Sequence, residues 1–189
     1  MSCPFEHAVT PTLARANLGS VLPPSPPPTN HELITTYIAL HCAHSSTPPP
    51  LGVTLAHAAY VASLPTAADF ATPCYYSEAE LLHLRGTNLF GAVGDRLTGW
   101  KEEWKGVVGR LEGETKAALS WKDWLWACTV ISSRAFPSVL IDGDKANNTP
   151  VLFPGVDTLN HRYGEKVTWK TDVNAKTVTI VLETGVPAG

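Results

Sequence analysis

The sequence predicts an α+β fold in which a mostly helical block is followed by an antiparallel β-hairpin. Apolar residues recur at helical spacing through the middle of the chain, two β-rich runs follow near its end, and turn-forming residues join those runs. At 189 residues the chain has the length of one ordinary domain, or of a piece of a larger one.

In chain order, the proline-rich run Leu22–Pro28 cannot lie inside a helix, because consecutive prolines lack amide donors and favour an extended path. Residues 1–29 are therefore expected to form an irregular segment. Thr29 and Glu32 fit a capping box, and Leu33, Ile34, Tyr37, Ile38 and His41 follow at helical spacing, which predicts a helix over Asn30–Ala43. After a second proline-rich break at Thr47–Pro50, the run Val53–Ser63 reads as a helix closed by Leu64 and Pro65, since proline disfavours the helical conformation in the residue before it. Ser77 and Glu80 offer another capping box, for a short helix through Leu84.

Past Gly86, apolar residues from Leu89 to Leu111 recur every three or four positions and predict the longest amphipathic helix, with Trp100 and Trp104 on its core face. Ser120 starts one more helix, whose Trp124, Leu125, Cys128 and Ile131 can face a core before Phe136 and Pro137 stop it. Trp121, Trp124 and Trp126 read as core and rim packing rather than as a cage around a methylated lysine. The runs Glu165–Thr171 and Lys176–Leu182, joined across Asp172–Ala175, predict the hairpin. A lone hairpin is marginal, so more strands or helix packing are needed, and the sheet is expected to be unfinished. Glu183–Gly189 reads as a strand exit, and the chain is expected to be a truncated one.

Composition narrows the function. A hydrophobic fraction of 44% describes a folded globular chain. The net charge of -3, with Lys and Arg scattered, offers no footprint for nucleic acid. No window approaches the roughly 18 to 20 apolar residues of a membrane span, and no signal peptide opens the chain. Cys3, Cys42, Cys74 and Cys128 form no Cys-x-x-Cys pair and read as reduced thiols, so the expected setting is intracellular, cytoplasmic or nuclear.

The densest polar constellation is Pro154–His161, which places Asp157, Asn160 and His161 close together along the chain. Asp and His could be metal ligands or an acid–base pair, and Asn could hydrogen-bond a base or carboxylate. Against this stands a capping reading, with Asp157 opening a short helix. No third ligand lies at suitable spacing, so no metal site is expected and a metal-dependent hydrolase is the weakest reading.

The motif Asp157-Thr-Leu-Asn160-His161 resembles the Asp-x-x-Asn-His signature of SET domains related to the Rubisco large-subunit lysine methyltransferases. Upstream, the helix ending in Ser133-Arg134-Ala135-Phe136 is similar to that family's Ser-Arg-Ala-Phe element. Tyr60-Val-Ala-Ser-Leu-Pro65, Thr72-Pro73 and the stretch Glu80–Thr87 resemble earlier elements, so the likeness runs from about Tyr60 to Gly189. It implies a helical insertion over residues 30–136 and a cofactor-binding SET segment with hairpin over 137–189. The activity implied is methyl transfer from S-adenosyl-L-methionine to a lysine side chain of a protein substrate.

By the same resemblance, Asn160 and His161 bind the cofactor largely through the backbone, Arg134 approaches its carboxylate, and Asp157 orders the loop. A guanidinium suits a carboxylate because its fork makes two parallel hydrogen bonds. The family's Gly-x-Gly element and its catalytic tyrosine segment find no match here, so no catalytic residue is assigned. Two alternatives stay open: a non-catalytic SET-like interaction module, and methylation of histidine instead of lysine.

Overall fold

The computed structural model describes residues 1–19, 21–146, 148–159 and 163–183. Its elements run β1 (Ser2–Pro4), α1 (Pro11–Leu18), α2 (Asn30–Ala43), α3 (Ala58–Ala62), α4 (Glu78–Leu82), α5 (Asn88–Arg110), α6 (Gly113–Ala118) and α7 (Trp121–Arg134). There follow β2 (Phe136–Pro137), α8 (Val139–Asp142), β3 (Pro150–Val151), β4 (Val167–Asp172) and β5 (Thr177–Leu182), with short 3-10 turns between several of them. The architecture is α+β, as the sequence predicts.

Helix α2 forms where expected because its first turn is capped from both sides. Thr29 Oγ1 accepts from the Glu32 amide at 3.1 Å and Glu32 Oε2 accepts from the Thr29 amide at 2.7 Å. Glu32 also pairs with Arg110 at the end of α5, which ties the two helices together. Residues Leu33–His41 of α2 are all buried, so the helix is enclosed around its whole circumference and forms the centre of the larger core. It packs between α1 and α7, and α7 contributes Trp124 and Cys128, both fully buried.

Two expectations differ from what the structure contains. The first 29 residues are not irregular throughout: α1 starts at a Thr10 cap with Pro11 in its first turn and buries Ala14 and Leu18, and β1 joins the sheet, whereas the proline-rich run Leu22–Pro28 is irregular as expected. Gly19 ends α1 with φ +55°, and a Cβ there would stand 2.8 Å from the Gly52 carbonyl oxygen, so only glycine fits this close approach. The helix read over Val53–Ser63 is confined to its second half. The amides of Thr54, Ala56 and His57 donate to Asn17 O, Tyr37 Oη and His41 Nε2, and these tertiary bonds displace the intrahelical ones.

Long helix α5 lies on the surface. Val93 and Val107 are buried, whereas Trp100 and Trp104 are only half-buried and Leu89 is exposed. Trp104 packs at a tilt against Trp121 with ring centroids 5.9 Å apart and donates Nε1–H to Leu119 O, so it is rim packing with a satisfied polar tip.

The sheet order is β1-β5-β4, all antiparallel. The hairpin forms as predicted, and β1 supplies the third strand it needs: Cys3 pairs with Val178, and Val178 and Ile180 point into a second, smaller core with Phe153 and Val156. Strands β2 and β3 form a separate two-stranded pair, Phe136 opposite Val151. Among the described residues, no helix is long and apolar enough to cross a membrane.

Candidate functional site

Tyr60, Arg134 and Asp157 meet at the seam between the helical block and the smaller core, each carried by a different element. Arg134 is the last residue of α7, Tyr60 lies within α3, and Asp157 sits in a 3-10 turn, Val156–Thr158, that follows β3. Gly155 opens that turn at φ +84°, a backbone conformation glycine adopts without strain, and the Asp157 amide is anchored on Phe153 O at 3.2 Å.

Tyr60 donates its hydroxyl to Asp157 Oδ2 at 2.6 Å. Arg134 Nη1 donates to the Asp157 carbonyl oxygen at 2.8 Å and stands 3.7 Å from Oδ2. The Asp157 side chain is fully buried, and among the described residues its second oxygen, Oδ1, has no hydrogen-bond partner. Burial raises the Asp157 carboxyl above its usual value, opposed by the Tyr60 hydroxyl and by Arg134. The Tyr60 phenol is held far above its usual range by burial and then by the adjacent carboxylate, so it stays a donor at any physiological pH. On the strand side, the Cys3 thiol is pushed up to about 11 by burial and by the Asp157 charge.

Alpha-helix α7 also fixes the segment that carries Tyr60. Trp126 donates Nε1–H to Pro65 O at 2.8 Å, and Ser63 Oγ donates to Tyr60 O at 2.6 Å. The Tyr60–Pro65 motif and the Ser133–Phe136 motif are thus physically joined, and Asp157 is their common partner.

Two of the four residues expected at the site, Arg134 and Asp157, are brought into direct contact. Asn160 and His161 lie outside the described residues. Asp157 does not act as a helix cap: its carboxylate is used on Tyr60, and no side-chain cap bond is made at this turn. Tyr60 is the site residue that spacing alone missed. The signal was present in the Tyr-x-x-x-Leu-Pro motif, but nothing local says that this hydroxyl reaches a residue 97 positions away.

The structure is similar to a solved SET domain of LSMT bound to lysine and AdoHcy, with a TM-score of 0.71 at 17% identity, covering 96% of this chain and 40% of that one. The fold is that of a SET domain. A second solved form of the LSMT SET domain, bound to methyllysine and AdoHcy, matches with a TM-score of 0.66 at 19% identity, over 88% of this chain and 37% of that one. No family model matches the chain.

Among curated proteins, the chain is 30% identical over 190 residues to the ribosomal lysine N-methyltransferase set10 of Schizosaccharomyces pombe, with all of the chain and 33% of that protein covered. It is 26% identical over 145 residues to ribosomal lysine N-methyltransferase 1 of Saccharomyces cerevisiae, covering 58% of the chain and 24% of that protein. The chain therefore spans a third or less of the length of the curated relatives it matches. These likenesses bear out the SET resemblance drawn from the Asp157–His161 and Ser133–Phe136 motifs.

Proposed function

We propose that this SET domain takes part in S-adenosyl-L-methionine-dependent methylation of a protein lysine, with the lysine on a ribosomal substrate. The observation that carries the reading is the joining of Arg134 to Asp157 at the seam where two SET-like motifs meet. The names of both curated relatives support the ribosomal lysine as acceptor.

The residues present fit the cofactor. Among the described residues Arg134 has one partner, Asp157, and its side chain is 23% exposed, so most of its guanidinium donors are available to a carboxylate. The unpartnered Asp157 Oδ1 adds a buried acceptor beside them. Bound S-adenosyl-L-methionine would supply a sulfonium methyl for in-line transfer to a neutral amine, with the carbon–sulfur bonding pair leaving on sulfur. Arg134 would hold the carboxylate end, Asp157 with Tyr60 would hold Arg134 and the turn in place, and Asn160 and His161 would hold the remainder of the cofactor. Their work is positioning, which replaces the entropy cost of bringing methyl and amine into line.

Calorimetric titration of the purified chain with S-adenosylhomocysteine tests this. Saturable binding is expected, weakened at least tenfold in Arg134→Ala and Asn160→Ala variants whose circular dichroism matches the parent. A folded parent that does not bind would overturn the assignment. With binding established, label from methyl-tritiated S-adenosyl-L-methionine is expected in a lysine when ribosomes are the acceptor, and label in histidine would replace lysine as the target.

A further inference from the structure

We infer that His31, Glu103 and Cys128 form a zinc site that ties together three helices of the helical block, apart from the Arg134–Asp157 seam. The three come from the first turn of α2, the C-terminal third of α5 and the middle of α7, and their ligand atoms all lie within 4.8 Å of one another. His31 Nδ1 stands 2.9 and 3.0 Å from the two Glu103 carboxylate oxygens, so the imidazole is already aimed at the carboxylate.

The geometry is close to that of a bound ion. Zinc holds sulfur at about 2.3 Å and nitrogen or carboxylate oxygen at about 2.0–2.2 Å, which in a tetrahedron sets ligand atoms roughly 3.2–3.8 Å apart. A small opening between His31 and Glu103, with an approach of about an ångström on the thiol side, brings all three onto one ion.

Burial divides the site as a metal site requires. The Cys128 thiol is fully buried, whereas the His31 and Glu103 side chains are 32% and 22% exposed, which leaves an entry path from solvent and room for a water as fourth ligand. Thr35, one helical turn after His31, is fully buried beside the Cys128 thiol, where its hydroxyl is placed to donate to the sulfur and orient it as a ligand.

The donor set selects the metal. One sulfur, one nitrogen and one carboxylate oxygen suit zinc, whereas magnesium and calcium take oxygen ligands. Cys128 binds as thiolate, so its proton passes to solvent as the metal enters. Cysteine spacing along the chain hid this site, because its ligands are separated by 72 and 25 residues.

The test uses cobalt as a spectroscopic substitute for zinc. The reduced, chelator-treated chain is titrated with cobalt(II), and one equivalent is expected to produce sulfur-to-cobalt charge-transfer absorption and the intense visible bands of a tetrahedral site, both lost on adding zinc. His31→Gln and Glu103→Gln, which change partly exposed positions and are expected to fold, weaken cobalt binding at least tenfold; Cys128→Ser abolishes the charge-transfer band. Cys42→Ser and Cys74→Ser leave it unchanged. Zinc raises the melting temperature of the parent and not of His31→Gln. Absence of the charge-transfer band in the folded parent, or a band that persists undiminished in His31→Gln and Glu103→Gln, overturns the site and leaves His31 and Glu103 as a plain ion pair.

Discussion

Asp157 meets conflicting demands from its neighbours, and the conflict explains how tightly it is held. Full burial disfavours the carboxylate, while the Tyr60 hydroxyl and the Arg134 guanidinium favour it. Removing one supporter exposes the cost of the other. Tyr60→Phe is expected to destabilise the chain by about 1–3 kcal/mol in urea denaturation, because it withdraws the hydrogen bond to a buried acceptor; an unchanged midpoint would mean that the 2.6 Å contact contributes nothing. The same variant is expected to weaken S-adenosylhomocysteine binding, since Arg134 then loses part of its anchor. Of this site, Arg134 and Asp157 were legible in the sequence because each sits in a short motif. Tyr60 lay in a motif too, but its partner is 97 residues on, and no local pattern carries that distance.

Elements formed where local signals and tertiary contacts agreed. Helix α2 starts and ends as its capping box and apolar spacing predict, and Thr29→Ala is expected to cost about 1 kcal/mol in a thermal or urea melt, with the loss centred on the first turn. Helix α4 likewise follows its Ser77–Glu80 box. The run before α3 is helical by spacing yet is not helical in the fold, because Asn17, Tyr37 and His41 take its amides. Strand β1 is the reverse case: three residues carry no legible strand pattern, yet β5 completes them with a ladder. Cys3→Asp is expected to cost more than about 2 kcal/mol, because it buries a second carboxyl near Asp157 with no partner of its own; native-state hydrogen exchange should then show β5 amides opening faster.

At the scale of the molecule, two cores meet across a seam, and a histidine network helps to hold the N-terminal segment against the helices. His57 Nε2 faces the His7 carbonyl at 3.2 Å and must carry the proton, so Nδ1 accepts from the Tyr37 hydroxyl at 2.8 Å. Tyr37 in turn accepts from the Ala56 amide, and His41 Nε2 accepts from the His57 amide. Burial, and next the proximity of His57, lower His41 to about 4. A histidine depressed in the folded state adds stability that is fully present above its unfolded value near 6.5 and is lost as pH falls from there toward 4. The parent is therefore expected to lose on the order of 1–3 kcal/mol from His41 between pH 7 and pH 4. His41→Gln keeps an acceptor but does not titrate, and its melting temperature should fall less over the same range; parallel curves would exclude His41 as the titrating group.

Composition, helix periodicity, the capping boxes and the turn between β4 and β5 are properties of neighbouring residues, and they were enough to establish the α+β class, the bounds of α2 and the hairpin. The SET motifs are short runs as well, which is why the sequence alone carries them. What placed Tyr60 on Asp157, β1 on β5 and His31 beside Glu103 and Cys128 is the packing of elements far apart in the chain. Those meetings depend on which apolar faces can be buried together, a global balance of burial against chain entropy that no local window of sequence contains.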